Sequence, residues 1–344
     1  MIRVLVVEDS LTVRQHLVEQ LQADPDLVVV GEASDGQRAI ELCRQLRPDV
    51  VTLDMVLHGL SGLGATEYIM GNCPTPILVV SASFNRGELF DTYQALAAGA
   101  VDVLDKPRDD DPDWGDRFRA AVRMVSRIKV ITHPRARLGA IGRRTTREIY
   151  QGTGGDRLPE LVAIGASTGG PAALVDVFAA IPASFSLPIL IVLHIGPAFA
   201  VGFAEWLGGQ ASRRITCATE GDPLVPGTVL FAPPDQHLIV RDGRVRLVSD
   251  PPRNHCKPSV DVLFESLALD YGARAAGCLL TGMGRDGATG LLAMRRAGAF
   301  TIAQDEATSV VYGMPREAVA CGAAERVLPL HEIGRMIASL EPIR

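Results

Sequence analysis

Short apolar runs of strand length recur through this chain, each separated from the next by a turn and a stretch of helical spacing. They fall at residues 2–7, 28–33, 49–53, 77–81 and 101–104, and again at 161–164, 188–193, 229–232, 277–281 and 299–303. This alternation leaves few folds open, because strands apolar along their whole length must be covered on both faces, as in parallel sheets wrapped by helices. The fold class is therefore α/β, with two such units. A departure from the rhythm comes at 238–247, where Asp242-Gly243 between Leu238-Ile-Val240 and Val245-Arg-Leu247 signals an antiparallel hairpin.

Between the two series the apolar periodicity fades. Lys129, Arg135, Arg137, Arg143, Arg144, Arg147 and Arg157 face only Glu148 and Asp156 there. This composition reads as a basic, solvated linker, with contact to an acidic partner as the sharper alternative. The chain divides accordingly into a domain at 1–127, a linker at 128–157 and a second domain at 158–344.

With 344 residues, 47% of them hydrophobic, the chain can bury a core in each half. The net charge of −6 argues against nucleic acid as the main partner. The six cysteines lack metal-ligand spacing and read as reduced thiols. Met1-Ile-Arg-Val opens directly into a strand, so no targeting peptide is read and a cytoplasmic setting is expected. The apolar stretch 188–207 is interrupted by His194, Gly196, Pro197, Gly202 and Glu205, so a chain that is not membrane-embedded is expected.

In the first domain Glu8 and Asp9 follow the first run, Asp54 the third, Ser81 closes the fourth and Lys106 follows the fifth. The carboxyl ends of parallel strands share one edge of the sheet, where ligands bind. Three carboxylates gathered there repel one another unless a cation sits among them, and an all-oxygen donor set suits Mg²⁺. Asp54 could then attack a phosphoryl donor while Ser81 and Lys106 hold the transferred oxygens.

In the second domain, Gly165-Ala-Ser167-Thr-Gly169 directly follows the run at 161–164, and Pro171 suits the first turn of a helix continuing through Phe178. Ser167 is thereby carried onto a glycine-lined turn at a helix N-terminus. The pattern fits either an exposed nucleophile or a phosphate cradle of a nucleotide site. A dinucleotide site usually places a carboxylate about 20 residues further on. Here the next strand ends on His194, which can take a proton from a serine. Asp286, in the Gly-rich turn Leu280-Thr-Gly-Met-Gly-Arg-Asp-Gly287, is the group available to orient that imidazole; its simplest alternative is a cap for the helix at 288–296. Gly282 and Gly284 would let the Met283 N–H act as an oxyanion donor. The order Ser, His, Asp differs from that of α/β-hydrolases, so that fold is not implied.

Two resemblances follow from these motifs. Val6-Val-Glu8-Asp9-Ser10, Leu53-Asp54-Met55, Val80-Ser81-Ala82 and Asp105-Lys106-Pro107 resemble the response-regulator receiver domains. That implies a flavodoxin-like five-stranded parallel sheet, with Asp54 as acceptor of a phosphoryl group from a chemotaxis histidine kinase. It also implies Glu8, Asp9 and Asp54 serving Mg²⁺, and Ser81 and Lys106 binding the phosphoryl group. The chain departs from the receiver pattern at His58, where proline is common, and at Val103, where an aromatic residue is common. Residues 164–170, His194, Phe231-Ala-Pro-Pro234, Asp235, His237, Lys257-Pro-Ser-Val-Asp261, the 280–287 turn and 301–310 resemble the catalytic domain of the chemotaxis protein-glutamate methylesterases. The resemblance implies a doubly wound, mainly parallel domain with Ser167 as nucleophile, His194 as acid/base and Asp286 as its orienter. Thr168 and Met283 are implied to shape the site, and no cofactor is implied for the ester reaction. Leu193 and Ile195 differ from the Gln and Met that often flank the histidine. The expected activity is hydrolysis of glutamate methyl esters on the cytoplasmic helices of chemoreceptors, with deamidation of glutamines as a second reaction, governed by phosphorylation of the first domain. The alternative is a phosphorylation-controlled module that docks on receptors without turnover.

Overall fold

In the computed structural model, residues 1–82, 85–107, 111–130 and 158–341 are described here. The chain separates into two compact units, Met1–Arg143 and Arg144–Arg344. Most of the basic stretch, 131–157, lies outside the described residues, so its reading as a linker is not addressed by the structure.

The first unit runs β1 (Ile2–Val7), α1 (Leu11–Gln22), β2 (Leu27–Ala33), α2 (Gly36–Leu46), β3 (Val50–Leu53), α3 (Gly62–Asn72), β4 (Ile77–Ser81), α4 (Arg86–Ala97), β5 (Asp102–Asp105) and α5 (Trp114–Val125). Its five strands form one sheet in the order β2-β1-β3-β4-β5, and every pairing is parallel. Three of its helices start where a short polar side chain satisfies a free N–H group: Asp35 accepts from the Arg38 N–H, Ser61 from the Gly64 N–H and Asn85 from the Glu88 N–H. β3 and β4 are buried along their whole length, as central parallel strands must be.

The second unit comprises β6 (Leu161–Ala166), α6 (Gly170–Ala180), β7 (Ile189–Leu193), α7 (Pro197–Gln210), β8 (Ile215–Cys217), β9 (Val229–Phe231), β10 (His237–Arg241), β11 (Arg244–Val248), α8 (Val260–Asp270), β12 (Ala275–Leu279), α9 (Ala288–Arg296), β13 (Phe300–Gln304), α10 (Met314–Ala320), β14 (Arg326–Leu328) and α11 (Leu330–Ala338). Seven strands form a parallel sheet ordered β14-β13-β12-β6-β7-β9-β8. β10 and β11 pair antiparallel as a separate hairpin, with Asp242 (φ 52°) and Gly243 (φ 68°) both left-handed at its two-residue turn. β8 and β14, the two edge strands, are three residues each and carry no alternation or long apolar run, so sequence periodicity did not disclose them. The apolar stretch 188–207 is β7 followed by α7, whose apolar face is buried by the domain. No described helix is long and apolar enough to cross a membrane.

A carboxylate cluster and a serine-histidine-aspartate edge

The first unit gathers its acidic residues at the carboxyl ends of β1 and β3. Oxygens of Glu8, Asp9 and Asp54 lie within 4.8 Å of one another. Lys106, after β5, places Nζ 2.8 Å from Asp54 Oδ2 and 2.9 Å from Glu8 Oε2. Glu8 is fully buried and Asp54 is 1% exposed. Burial, reinforced by Asp54, pushes the Glu8 carboxyl up to about 7, although Lys106 pulls the other way. Burial likewise raises Asp54 against the pull of Lys106. For Lys106, burial disfavours the charge, but hydrogen bonds and attraction to Asp54 and Glu8 outweigh it and raise the pKa.

One lysine does not satisfy this cluster. Among the described residues, Asp54 Oδ1 is buried with no hydrogen-bond partner, and Glu8 Oε2, though in ion-pair range of Lys106, accepts no well-angled hydrogen bond. Orphaned carboxylate oxygens beside a third carboxylate fit a hard dication such as Mg²⁺, whose charge would bring both raised carboxyls down. Two details differ from a simple pocket. Ser81, also fully buried, hydrogen-bonds to Glu88 Oε1 at 3.0 Å and accepts from the Thr92 hydroxyl at 3.1 Å, so its hydroxyl is tied to α4. His58, 89% exposed, pairs through Nδ1 with Asp9 Oδ2 at 3.0 Å. Val103 lies buried in β5.

In the second unit, three strand ends bring the other candidates together. Ala166 of β6 is in register with Leu193 of β7, so Ser167 and His194 are the first residues beyond two paired ends, and the His194 N–H donates to Ala166 O at 3.0 Å. On the other side Leu279 of β12 pairs with Gly165, and the Ser167 N–H donates to Thr281 O at 3.0 Å. The turn must carry glycine. Gly169 has φ 76°, in the left-handed region, and at Gly282 a Cβ would lie 2.7 Å from Ser167 Cβ and 2.3 Å from Met314 Sδ.

His194 Nε2 sits 3.0 Å from Asp286 Oδ2, and its Nδ1 lies 3.6 Å from Cys256 Sγ. Among the described residues no hydrogen bond joins Ser167 to His194; free-state geometry of this kind commonly tightens only with substrate in place. Asp286, 2% exposed, does not cap α9, whose N-cap is Gly287. It sits instead at the N-terminus of α8: Oδ1 accepts from Ser259 Oγ at 2.7 Å, and more distantly from Asn254 Nδ2 and the Asp261 N–H, while Oδ2 accepts from the Val260 N–H at 2.7 Å. A helix N-terminus favours that negative charge.

These contacts set the electrostatics. Burial disfavours imidazolium, but hydrogen bonds with Asp286 and Cys256 outweigh it and lift His194 to about 9. Burial alone would raise Asp286; hydrogen bonding and attraction to His194, with help from Ser259 and the Val260 N–H, instead hold it below the usual carboxylate range. Thr168 is buried, and its carbonyl accepts from Thr281 Oγ1 at 3.0 Å. Met283 is 58% exposed at the rim, and its backbone N–H donates to no described residue. A hydroxyl, an imidazole and a buried carboxylate on one sheet edge, beside an uncommitted N–H, are the parts that acyl transfer needs.

Ser259 and Val260 lie in the 257–261 segment that carried the resemblance, but neither had been given a role; Cys256 and Asn254 were not among the residues expected at this site.

Two family models match: the CheB methylesterase over residues 162–337 and the response regulator receiver domain over 4–112. The chain belongs to the CheB methylesterase family. It is 43% identical to protein-glutamate methylesterase/protein-glutamine glutaminase 2 of Anaeromyxobacter dehalogenans, over 98% of this chain and 97% of that protein. It is 41% identical to protein-glutamate methylesterase/protein-glutamine glutaminase 1 of Syntrophus aciditrophicus, over 99% of this chain and 98% of that one. The crystal structure of the Thermotoga maritima CheB methylesterase catalytic domain is matched with TM-score 0.51 and 34% identity, covering 53% of this chain and 99% of that one. This member of the CheB methylesterase family is thus an enzyme that joins a receiver domain to a methylesterase domain.

One consequence of the packing can be measured directly. Gly282→Ala forces its methyl into Ser167 and Met314, and a displacement of about 1 Å at a reacting atom can cost about 10²-fold. The variant is expected to lose about that much methylesterase turnover while remaining folded by circular dichroism; turnover within a factor of about two of the parent would show that the turn absorbs the methyl.

Proposed function

We propose that this protein removes methyl groups from glutamate γ-methyl esters on the cytoplasmic helices of chemoreceptors, releasing methanol, and deamidates selected receptor glutamines. Ser167 is the nucleophile, His194 the acid/base, Asp286 its orienter, and the Met283 N–H the oxyanion donor, with Thr168 shaping the turn. The observation that carries this reading is His194, the first residue beyond β7 as Ser167 is beyond β6, held through Nε2 by a buried Asp286.

With Nε2 committed to Asp286, Nδ1 takes the Ser167 proton as Oγ attacks the ester carbonyl. Negative charge moves to the carbonyl oxygen, where the Met283 N–H stabilises it. His194 returns the proton to the departing methoxide, and methanol leaves. Water, deprotonated by the same nitrogen, then cleaves the acyl-serine and frees the glutamate carboxylate. No cofactor enters these steps.

The imidazole must be uncharged to act as base. Because His194 is raised to about 9, it is protonated at neutral pH, and kcat/KM is expected to climb about tenfold per pH unit before levelling near pH 9. Cys256→Ala removes one of the groups that lift it, so the plateau should arrive at lower pH. A profile flat from pH 6 to 9 in both proteins would contradict this base.

The receiver, at 1–127, is proposed to accept a phosphoryl group on Asp54 from a chemotaxis histidine kinase, with Ser81 and Lys106 binding its oxygens and the basic segment 128–157 joining it to the esterase at 158–344. Glu8, Asp9 and Asp54 would hold Mg²⁺, which when bound neutralises charge between acceptor and donor. Lys106, 2.8 Å from Asp54, offsets the charge that remains. Ser81 must release Glu88 to reach a phosphoryl oxygen, so phosphorylation pulls on the start of α4. A cytoplasmic setting is part of the same reading, since kinase and receptor helices are there.

Methanol release from methylated receptor, with and without acetyl phosphate and Mg²⁺, tests both halves. The phosphodonor should raise the rate, and Asp54→Ala should abolish that rise while keeping the basal rate. A rise that survives Asp54→Ala would remove Asp54 from the regulation.

A further inference from the structure

Two fully buried polar groups stand one step behind the chemistry: Ser259, already met as a donor to Asp286, and His237, which has no role so far. His237 opens β10 and Ser259 caps α8, and both are 0% exposed. The His237 ring has a partner at each nitrogen. Nδ1 accepts the Ser259 backbone N–H at 3.1 Å, and Nε2 lies 3.2 Å from Pro251 O. An amide N–H only donates and a carbonyl only accepts, so these two contacts place the ring proton on Nε2.

Ser259 is the hinge between that ring and the reacting groups. Its Oγ accepts from the Val262 N–H at 3.4 Å and donates to Asp286 Oδ1 at 2.7 Å. The next N–H, of Val260, donates to Asp286 Oδ2, the oxygen that also meets His194 Nε2. Both short hydrogen bonds to Asp286 from outside the His194 ring therefore come from a single turn that belongs to no strand, with Asn254 Nδ2 a more distant donor. The N–H of an N-cap residue has no partner inside its own helix, so an outside acceptor decides where the turn rests. An apolar side chain at 237 could fill the volume but would leave that buried N–H unpaired.

We infer that His237 is a positioning residue of the esterase site: by accepting the Ser259 N–H it fixes the first turn of α8, so that Ser259 and Val260 hold Asp286 in line with His194. This rests on the reading of Ser167, His194 and Asp286 as the reacting set.

Asparagine and glutamine at 237 separate this role from mere filling. The His237→Asn amide oxygen falls close to the Nδ1 position and can still accept from Ser259, whereas the His237→Gln amide lies further out, toward Pro251. His237→Gln in the full chain is expected to lower kcat about tenfold or more with KM nearly unchanged, and to move the rising limb of kcat/KM to lower pH, because His194 loses an aligned carboxylate. His237→Asn should restore most of both. Nuclear magnetic resonance titration of the His194 ring should show the same order without any turnover. It therefore still decides the positioning role if Ser167→Ala proves active and the triad reading fails. Folded Asn and Gln variants equal to each other in kcat and in His194 titration would overturn the inference. Should His237→Gln not fold, Ser259→Ala takes its place: it keeps the backbone N–H for His237 but drops the Oγ contacts to Val262 and Asp286, through which the His237 effect is carried, so an unshifted His194 titration there would overturn the inference equally.

Discussion

Ser167→Ala is expected to abolish methanol release from methylated receptor, lowering kcat about 10⁴-fold or more while leaving receptor binding within about twofold. The size follows from the chemistry: an alanine methyl cannot form the acyl intermediate, and the remaining groups supply only oxyanion stabilisation and orientation. Folding should be untouched, because the Ser167 backbone keeps its bond to Thr281 O and the hydroxyl hydrogen-bonds to no described residue. The measurement is single-turnover methanol release, together with affinity for the methylated receptor helix. An alanine variant within tenfold of the parent would move the nucleophile elsewhere, and Cys256, on the free nitrogen of His194, would be the first residue to test.

The second large effect is expected for Asp286→Asn, at about 10³- to 10⁴-fold in kcat. The amide has nearly the shape of the carboxylate but can accept at one atom only. It therefore loses either His194 and Val260 on one side or Ser259, Asn254 and Asp261 on the other. If its NH₂ turns toward His194, the imidazole must present a lone pair to it and protonate Nδ1, the nitrogen that should receive the Ser167 proton. Loss of the carboxylate also removes a group that lifts His194 toward 9, so residual activity should level off at lower pH. The combined signature, a large fall in kcat and an acid-shifted profile, distinguishes loss of the orienting carboxylate from general damage. An Asp286→Asn enzyme with kcat within tenfold of the parent and an unmoved profile would remove Asp286 from the mechanism.

Much of this was legible before any fold was built. The ten apolar runs are strands β1 to β7, β9, β12 and β13; eight of them are central strands, which must be apolar on both faces, and the partly buried edge strands β2 and β5 still carry enough apolar residues to be read. Ser167, His194, Asp54 and Lys106 were visible as polar residues at strand ends. The short edge strands β8 and β14 were not, since three residues at an edge need no apolar run. The partners of Asp286 were equally hidden. Asn254 and Ser259 come from the segment before α8 and Val260 from its first position, far from 286 in sequence, and Cys256 reaches His194 across 62 positions.

From the residues alone came the two α/β units, the metal-fitting carboxylates and the residue types of a serine hydrolase, since periodicity and turn chemistry are local properties that each segment carries with it. Only the tertiary structure decided which nitrogen of His194 meets Asp286, that Asp286 accepts N–H groups at the start of α8 and not of α9, and that Ser81 is bound to Glu88. Those choices depend on distances of a few ångströms between segments remote in the chain. Packing sets such distances, and no spacing along the sequence encodes them.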